Sequence, residues 1–211
     1  MELYEAIEKR KTIRLYKEAA TEEQLRKILL AGTKAPSAVN SQPWEFIIIE
    51  DQSLIDQLAE IKYQLTLQSP PNNAEERKKL EKRAIAQKES FRNASIVAVC
   101  NKVDWERSVW LCIENISLAA VANGLGSGIV LYWDEERAMV GEILGLPADY
   151  ELTAVLKIGV PGEEGYSREE NPYAPRRPDF SWLHKDRYQP KQPGNSWGKL
   201  PGSGPGSGVH Y

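Results

Sequence analysis

The chain has 211 residues, of which 41% are hydrophobic and 27% are charged, and its formal net charge is −3. This length and apolar content are sufficient for one sizeable hydrophobic core, so we expect one domain with extensions. A weakly acidic chain lacks the broad positive field that nucleic-acid binding requires, which excludes nucleic acid as an expected partner. Any anion site must therefore be local.

Cysteine and histidine are too sparse to suggest a disulfide framework or a metal site. The cysteines are Cys100 and Cys112, and the histidines, His184 and His210, both lie in the C-terminal quarter. The first ten residues, MELYEAIEKR, lack the apolar core of a signal peptide, and no stretch approaches the roughly 20 apolar residues of a membrane span. We therefore expect a cytoplasmic protein that has no metal and does not associate with membranes.

The first quarter of the chain predicts two helices, a loop and a strand. Leu3 and Ile7 are spaced for one helical face, and that run ends in the basic cluster RKTIR, residues 10–14. Thr21 and Gln24 form a capping-box pattern, which predicts a second helix to about Gly32. The segment KAPSAVNSQPW then has the composition of a loop, and EFIIIED has that of a buried strand.

Helices and strands continue to alternate up to about residue 161. Residues 52–92 predict a weak helix and a long charged helix, separated by the breaker SPPNN. SIVAVCN predicts a strand, and an apolar spacing of 4, 3 and 4 residues then predicts a buried helix that Gly124 ends. GLGSGIVLYW predicts a turn and a strand, Asp134 is expected to cap the next helix, and ELTAVLKIGVP predicts the last strand.

The composition changes from about Glu163, where proline, arginine, tyrosine and tryptophan become frequent. The last residues, 189–211, are rich in proline and glycine, as in a low-complexity tail. We therefore divide the chain into one domain over residues 1–188 and an extension over residues 189–211.

The basic cluster RKTIR has two interpretations when it is taken alone. The guanidinium groups of Arg10 and Arg14 match phosphate oxygens, and the Thr12 hydroxyl adds a donor, so the cluster can form a phosphate site. Positive charge is also favourable at the C-terminus of any helix, and most such clusters are surface charge.

A second motif at a compatible distance makes the chain similar to the nitroreductase family. In that family an R-x-S/T-x-R/K cluster is followed by a helix and by P-S-x-x-N-x-Q-P-W, which leads into the first core strand. Here the cluster is Arg10, Thr12 and Arg14, and the second motif is PSAVNSQPW, residues 36–44. The resemblance continues through the helix around Asn115 and the GLGSG turn to the Arg-Arg-Pro segment, and covers about residues 1 to 188.

The resemblance implies that FMN binds at the interface of a homodimer. The residues that it assigns to the phosphate and ribityl group are Arg10, Lys11, Thr12, Arg14 and Arg176. The loop residues that it brings to the flavin from the other subunit are Pro36, Ser37, Ala38 and Asn40. Without the match, the same loop would be interpreted as an ordinary Asx-type turn.

Two positions depart from the family pattern. Main-chain groups near Leu131 and Tyr132 would hydrogen-bond the flavin, but Tyr132 stands where the family commonly has glycine. Tyr132 and the following Trp133 therefore either line the substrate side or pack in the core. Ala174 stands where the family often has lysine, two residues before the phosphate-binding arginine, which predicts weaker cofactor binding than usual.

The resemblance also implies the fold and the reaction. We expect an α+β fold, a three-layer sandwich in which helices flank a central, mostly antiparallel sheet of four or five strands, with the C-terminal segment exchanged in the homodimer. The expected function is FMN-dependent transfer of electrons from NADH or NADPH, by a ping-pong mechanism, to a nitroaromatic, quinone or similar planar acceptor. No side chain need be catalytic, because flavin N5 carries the chemistry.

Two alternatives remain open at this stage. The same fold and flavin can serve reductive dehalogenation, or chemistry that consumes the reduced flavin with oxygen. The second alternative is a flavin-binding protein that turns nothing over.

Overall fold

The computed structural model describes residues 1–162, 184 and 186–188, and helices alternate with strands in the first of these ranges. The helices are α1 (Leu3–Lys9), α2 (Glu22–Gly32), α3 (Gln52–Leu67), α4 (Ala74–Glu89), α5 (Glu106–Ala122) and α6 (Asp134–Ile143). The strands are β1 (Tyr16–Ala19), β2 (Trp44–Ile49), β3 (Ser95–Lys102), β4 (Gly126–Val130) and β5 (Tyr150–Pro161), and a 3-10 turn, Ala38–Asn40, precedes β2.

Local sequence signals explain most of the helix ends. The Thr21 hydroxyl accepts a hydrogen bond from the Gln24 main-chain N–H, and the Gln24 side chain accepts one from the Thr21 N–H, which confirms the predicted capping box of α2. Gly124 follows α5 with a φ of +74°, a left-handed conformation that favours glycine and stops the helix as predicted.

The prediction that Asp134 caps the sixth helix is wrong. Trp133 is the N-cap residue, in an extended conformation, and no side chain caps the helix. Because Trp133 already occupies the boundary, Asp134 lies in the first turn of α6, where a carboxylate is favourable beside the positive end of the helix.

The sheet is antiparallel throughout and is organised around the longest strand, β5. Strands β1, β3 and β4 all pair with β5, and β2 pairs with the outer side of β3. This arrangement confirms the predicted α+β class with a central antiparallel sheet. In the centre of the sheet, Lys157 of β5 lies opposite Gly128 of β4 and Ile96 of β3.

Two hydrophobic cores cover the two faces of the sheet. Helices α2 and α5 pack on one face, and the β5 residues Leu156 and Ile158 belong to this core. Helices α3 and α6 pack on the other face, where Val155 is buried. Because side chains alternate along a strand, Lys157 lies on the same face as Val155, the face that α3 and α6 cover.

Several predictions fall outside the described residues. They concern Ala174, Arg176, His210, the exchange of the C-terminal segment and the extension 189–211. Within the part of the chain that the structure describes, no helix has the length and apolar character needed to cross a bilayer.

Candidate functional site

A cavity of about 630 Å³ opens on the α3 side of the sheet. This volume lies within the roughly 300–1,000 Å³ that is usual for small-molecule and cofactor sites. The segment before β1, helices α3 and α4, strand β4 and the residues after it all contribute to the wall. The lining residues used below are Thr12, Arg14, Lys62, Arg83, Gly128, Leu131, Trp133 and Lys157.

The wall of the cavity is strongly cationic. Arg14, Lys62, Arg83 and Lys157 line it, and its lining includes no aspartate or glutamate among the described residues. Cations that are partly withdrawn from water are stabilised by negative charge placed beside them. The wall is therefore suited to a ligand that carries negative charge.

Main-chain hydrogen bonds fix the position of the basic segment. The Ile13 N–H donates to the Ser127 carbonyl at 2.9 Å. The buried Tyr16 hydroxyl lies 2.9 Å from the Ile13 carbonyl and 3.0 Å from the Lys157 carbonyl, and shares its single proton between these two oxygens. This attachment of Ile13 to β4 and β5 holds its neighbours Thr12 and Arg14 at the cavity.

Lys157 is the most deeply buried cation of the site. The residue is only 2% exposed, and its Nζ donates a hydrogen bond to the Ser90 hydroxyl at 2.5 Å. Nζ also lies 5.4 Å from the centre of the Phe91 ring. Burial first, and then the positive charges of Arg14 and Lys62, lower the pKa of Lys157 to about 7.

Lys62 connects α3 to the chain that leaves β4. Its Nζ donates to the Leu131 carbonyl at 2.7 Å and lies 5.9 Å from the centre of the Tyr132 ring. Burial and the charge of Arg83 lower the pKa of Lys62 to about 8, against the opposing effect of the Glu136 carboxylate. Lys62 therefore holds Leu131, a predicted flavin contact, in place at the cavity.

The two aromatic residues after Leu131 have different environments. Tyr132 is buried, and its hydroxyl donates to the Leu58 carbonyl of α3 at 2.8 Å. Trp133 is 51% exposed and lines the cavity. Neither alternative therefore holds for the pair as a whole, because the Tyr132 side chain packs in the core and the Trp133 side chain lies at the cavity.

The structure brings only part of the predicted site together at the cavity. Thr12, Arg14 and Leu131 line the cavity, whereas Arg10 and Lys11 do not. The Arg10 side chain lies towards α5, with Nε 3.7 Å from the Glu114 carboxylate. The assignment of Arg10 and Lys11 to a phosphate remains a prediction.

The predicted loop from Pro36 to Asn40 contributes no residue to the cavity wall. The Ser37 hydroxyl accepts a hydrogen bond from the Gln42 N–H at 3.0 Å, which closes the loop on itself. Val39, Asn40 and Gln42 have φ values of 49°, 54° and 46°. A left-handed conformation is rare for a β-branched residue, and such strain concentrates at functional sites.

Three cations of the wall, Lys62, Arg83 and Lys157, belong to no motif of the sequence. Lys62 lies in the predicted weak helix, and Arg83 lies in a helix whose mixed charge is typical of solvent-facing surfaces. Lys157 did carry a signal, because it interrupts the otherwise apolar run AVLKIGV with a charged residue at the centre of a predicted buried strand.

The family model for the nitroreductase family matches residues 7–160. This chain belongs to the nitroreductase family. Its sequence is 30% identical over 168 residues to iodotyrosine deiodinase of Thermotoga neapolitana, a match that covers 76% of this chain and 89% of the relative. It is 31% identical over 182 residues to NADH dehydrogenase of Thermus thermophilus, with 75% and 86% of the two chains covered.

A solved structure extends this family likeness to the fold. It is an FMN-bound protein from Desulfovibrio desulfuricans that is assigned to the nitroreductases, with 26% identity and a TM-score of 0.66. The similarity covers 90% of this chain and 99% of that chain. As a member of the nitroreductase family with FMN-bound structural neighbours, the chain is a flavoprotein of the oxidoreductase class.

The cavity of this chain fits FMN by its own chemistry. The cofactor combines an anionic phosphate with a flat, largely apolar ring, and the cavity combines four cations with Leu131, Trp133 and the apolar end of β4. Arg14 and the Thr12 hydroxyl supply donors suited to a phosphate or a ribityl oxygen. The exposed indole of Trp133 offers a flat apolar surface.

Proposed function

We propose that this protein is a cytoplasmic, homodimeric FMN-dependent oxidoreductase. It passes electrons from NADH or NADPH, by a ping-pong mechanism, to a nitroaromatic, a quinone or a similar planar acceptor. The observation that carries the proposal is the cationic cavity, whose wall has no carboxylate among the described residues. Bound FMN would supply the hydride and electron transfer, and the protein would bind and orient the reactants.

The residues of the chain divide into three roles in this proposal. Arg14 and Thr12 bind phosphate and ribityl oxygens at the cavity wall, and Arg10, Lys11 and Arg176 complete the phosphate site. Main-chain groups of Leu131 and Tyr132 hydrogen-bond the ring. Lys62 acts as a positioning residue, because its hydrogen bond to the Leu131 carbonyl orients that segment.

Trp133 is proposed to recognise the acceptor. Its indole is about half exposed and lines the cavity, next to the main-chain segment assigned to the ring. Aromatic rings that stack or pack edge to face gain roughly 0.5–1.5 kcal/mol beyond the burial of their area. A planar acceptor is therefore favoured over a bulky aliphatic one.

Two surface features support the homodimer. Leu3 and Ile7, the apolar face predicted for α1, are 62% and 46% exposed. Val39, in the strained loop, is 89% exposed, and this loop lies outside the cavity of its own subunit. We propose that both are covered by the second subunit, and that Pro36, Ser37, Ala38 and Asn40 reach the flavin of that subunit.

Reductive dehalogenation is the second candidate function. It is favoured by the 30% identity to an iodotyrosine deiodinase over 89% of that relative. The two reactions use the same cofactor and differ in the acceptor. A halogenated phenol and a nitroaromatic, compared as acceptors under anaerobic conditions, distinguish them.

The test of the proposed function is the visible absorbance spectrum of the purified protein after FMN loading and dialysis, before and after anaerobic addition of NADH or NADPH. We expect a flavin spectrum that bleaches with the nucleotide and recovers when a quinone is added. A flavin that stays oxidised with both nucleotides would contradict the proposal that NADH or NADPH is the electron donor. A protein that takes up no FMN would overturn the proposal as a whole.

A further inference from the structure

Lys157 is a buried amine at the wall of the cavity, and the proposed reaction assigns it no role. We infer that Lys157 is a proton-coupled anion receptor: it takes up one proton from solvent when an anionic ligand occupies the cavity. The inference rests on the proposed function, which predicts FMN as the anion that binds in this cavity, and it assigns a role to one further residue.

The position of Lys157 keeps its side chain directed along the wall of the cavity. It lies opposite Gly128 in the sheet, and a Cβ atom at Gly128 would come within 3.3 Å of the Lys157 Cε. The absence of a side chain at residue 128 therefore provides the space that the lysine crosses. Both residues line the cavity.

The hydrogen-bond partner of Lys157 is neutral. The Ser90 hydroxyl donates to the Gln87 carbonyl at 2.5 Å, so its oxygen lone pairs are available to accept from Lys157 Nζ. A hydroxyl and the Phe91 ring stabilise an ammonium group less than a carboxylate would. These contacts can hold Lys157 either as an uncharged amine or as an ammonium group.

Among the described residues, the charged groups that line the cavity with Lys157 are all positive. Arg14 belongs to the segment before β1, Lys62 to α3 and Arg83 to α4, and all three line the same cavity. In the described part of the chain, the Tyr16 hydroxyl is a further titratable group close to Lys157; it donates a hydrogen bond to the Lys157 carbonyl, and burial raises its pKa. The facing positions of the neighbouring strands are Gly128 and Ile96, which do not titrate.

These surroundings favour the uncharged amine until an anion arrives. Burial and the charges of Arg14 and Lys62 lower the pKa of Lys157 to about 7, so at pH 8 the amine of the ligand-free site is mostly neutral. An anion within roughly 4–6 Å favours the ammonium form and raises the pKa again. Binding at pH 8 is therefore accompanied by uptake of a proton, which the buffer supplies.

The experiment is calorimetric titration of FMN into the ligand-free protein at pH 8, in HEPES and in Tris. The observed enthalpy depends on the ionisation enthalpy of the buffer in proportion to the number of protons taken up. The phosphate of FMN has its second pKa at about 6 and contributes almost no proton at pH 8. We expect Lys157→Met to lower the uptake by about half to one proton per site, because a methionine does not titrate.

Three comparisons assign the lost proton to Lys157. Lys27→Met alters an exposed lysine of α2 and should take up as many protons as the wild type. Lys62→Met removes the second titrating amine of the wall, and the loss due to Lys157→Met should persist in that background. Lys157→Arg keeps a positive charge that is not released near neutral pH, so it should bind FMN without the Lys157-dependent uptake.

The outcomes separate this inference from the proposed function. FMN binding with the same proton uptake in the wild type and in Lys157→Met would overturn the inference and leave the FMN assignment intact. If FMN does not bind to the wild type, the proposed function fails, and inorganic pyrophosphate is titrated in the same two buffers. No Lys157-dependent uptake with pyrophosphate would then overturn the anion receptor as well.

Discussion

Gly128 and Lys157 lie directly opposite each other in strands β4 and β5, and the lysine side chain occupies the space beside the glycine. A Cβ atom at residue 128 would lie 3.3 Å from Lys157 Cε, 2.9 Å from the Tyr16 hydroxyl and 2.4 Å from the Ile13 carbonyl oxygen. One glycine thus allows the sheet, the basic segment and the buried lysine to meet at the cavity.

Gly128→Ala is expected to displace the basic segment. The Ile13 carbonyl is main chain and cannot be relieved by a change of side-chain rotamer, so residues 12–14 must shift. Overpacking of this kind typically destabilises by about 1–3 kcal/mol. We expect a lower free energy of unfolding in urea and weaker FMN binding by equilibrium titration.

The matched control is Gly141→Ala in α6. A Cβ atom there would meet only Leu146 Cδ1, at an ordinary contact distance of 3.6 Å. Alanine in a helix is favoured over glycine by about 0.5–1 kcal/mol, so this variant should be at least as stable as the wild type. Equal effects of the two substitutions would contradict the close packing at Gly128.

Arg14→Ala tests the anion contact of the basic cluster. The loss of one charge-assisted hydrogen bond, worth about 1.5–3 kcal/mol, should weaken FMN binding by roughly ten- to a hundredfold. The dissociation constant is measured by quenching of flavin fluorescence. Arg26→Ala, which removes an exposed arginine paired with Glu22 within α2, should bind FMN like the wild type. Unchanged affinity in Arg14→Ala would contradict the assignment of Arg14.

The stability of the ligand-free protein should rise with pH above 7 because of Lys157. The unfolded chain holds this proton up to a pKa of about 10.4. In the folded state the pKa of Lys157 is about 7. Between these values the unfolded state binds more protons, so the free energy of unfolding increases with pH. Below about pH 7 both states are protonated and the slope due to Lys157 disappears.

Urea unfolding of the wild type and of Lys157→Met at pH 7 and pH 9 isolates this effect. From pH 7 to pH 9 the free energy of unfolding of the wild type should rise by about 2 kcal/mol relative to that of the methionine variant. One proton contributes at most about 1.4 kcal/mol per pH unit. Because the charge of Lys62 acts on Lys157, the same pair of proteins is also compared in a Lys62→Met background. A difference that is independent of pH would contradict the lowered pKa of Lys157.

Tyr132→Phe and Trp133→Ala should have opposite phenotypes although they are adjacent. The first removes the buried hydrogen bond to the Leu58 carbonyl and should lower the free energy of unfolding by about 1–2 kcal/mol, with FMN affinity unchanged. The second removes a half-exposed side chain at the cavity and should raise the KM for a planar acceptor with little change in stability. Urea unfolding and steady-state kinetics of both variants measure these effects, and equal effects on both quantities would contradict the separate roles.

Charges on the exposed face of α1 should weaken the proposed homodimer. Leu3→Glu combined with Ile7→Glu places two carboxylates on this apolar face, which would be unfavourable if a second subunit covers it. We expect a shift from dimer to monomer in light scattering coupled to gel filtration. Glu2→Lys combined with Glu8→Lys changes the charge of the same region without altering the apolar residues and is the control. A double glutamate variant that stays fully dimeric would contradict this interface.

Local patterns in the sequence predicted most elements of the fold. The Thr21 and Gln24 capping box, the glycine stop after α5 and the apolar runs of β2, β3 and β5 all appear at or near the predicted residues. The predicted start of α6 was displaced by one residue, because a carboxylate such as that of Asp134 is suitable both at the N-cap and in the first turn of a helix. Such signals act over a few residues, and the surrounding fold changes them little.

Residue type and spacing are sufficient to identify the family, the basic cluster and the loop, because these motifs need no contact between distant segments. Tertiary packing is needed to assign Tyr132 to the core and Trp133 to the cavity, since the chemistry of either side chain permits both environments. Lys62, Arg83 and Lys157 become one site only when α3, α4 and β5 pack together. The pKa of Lys157 in particular depends on burial and on charges far away in the chain, which no local pattern encodes.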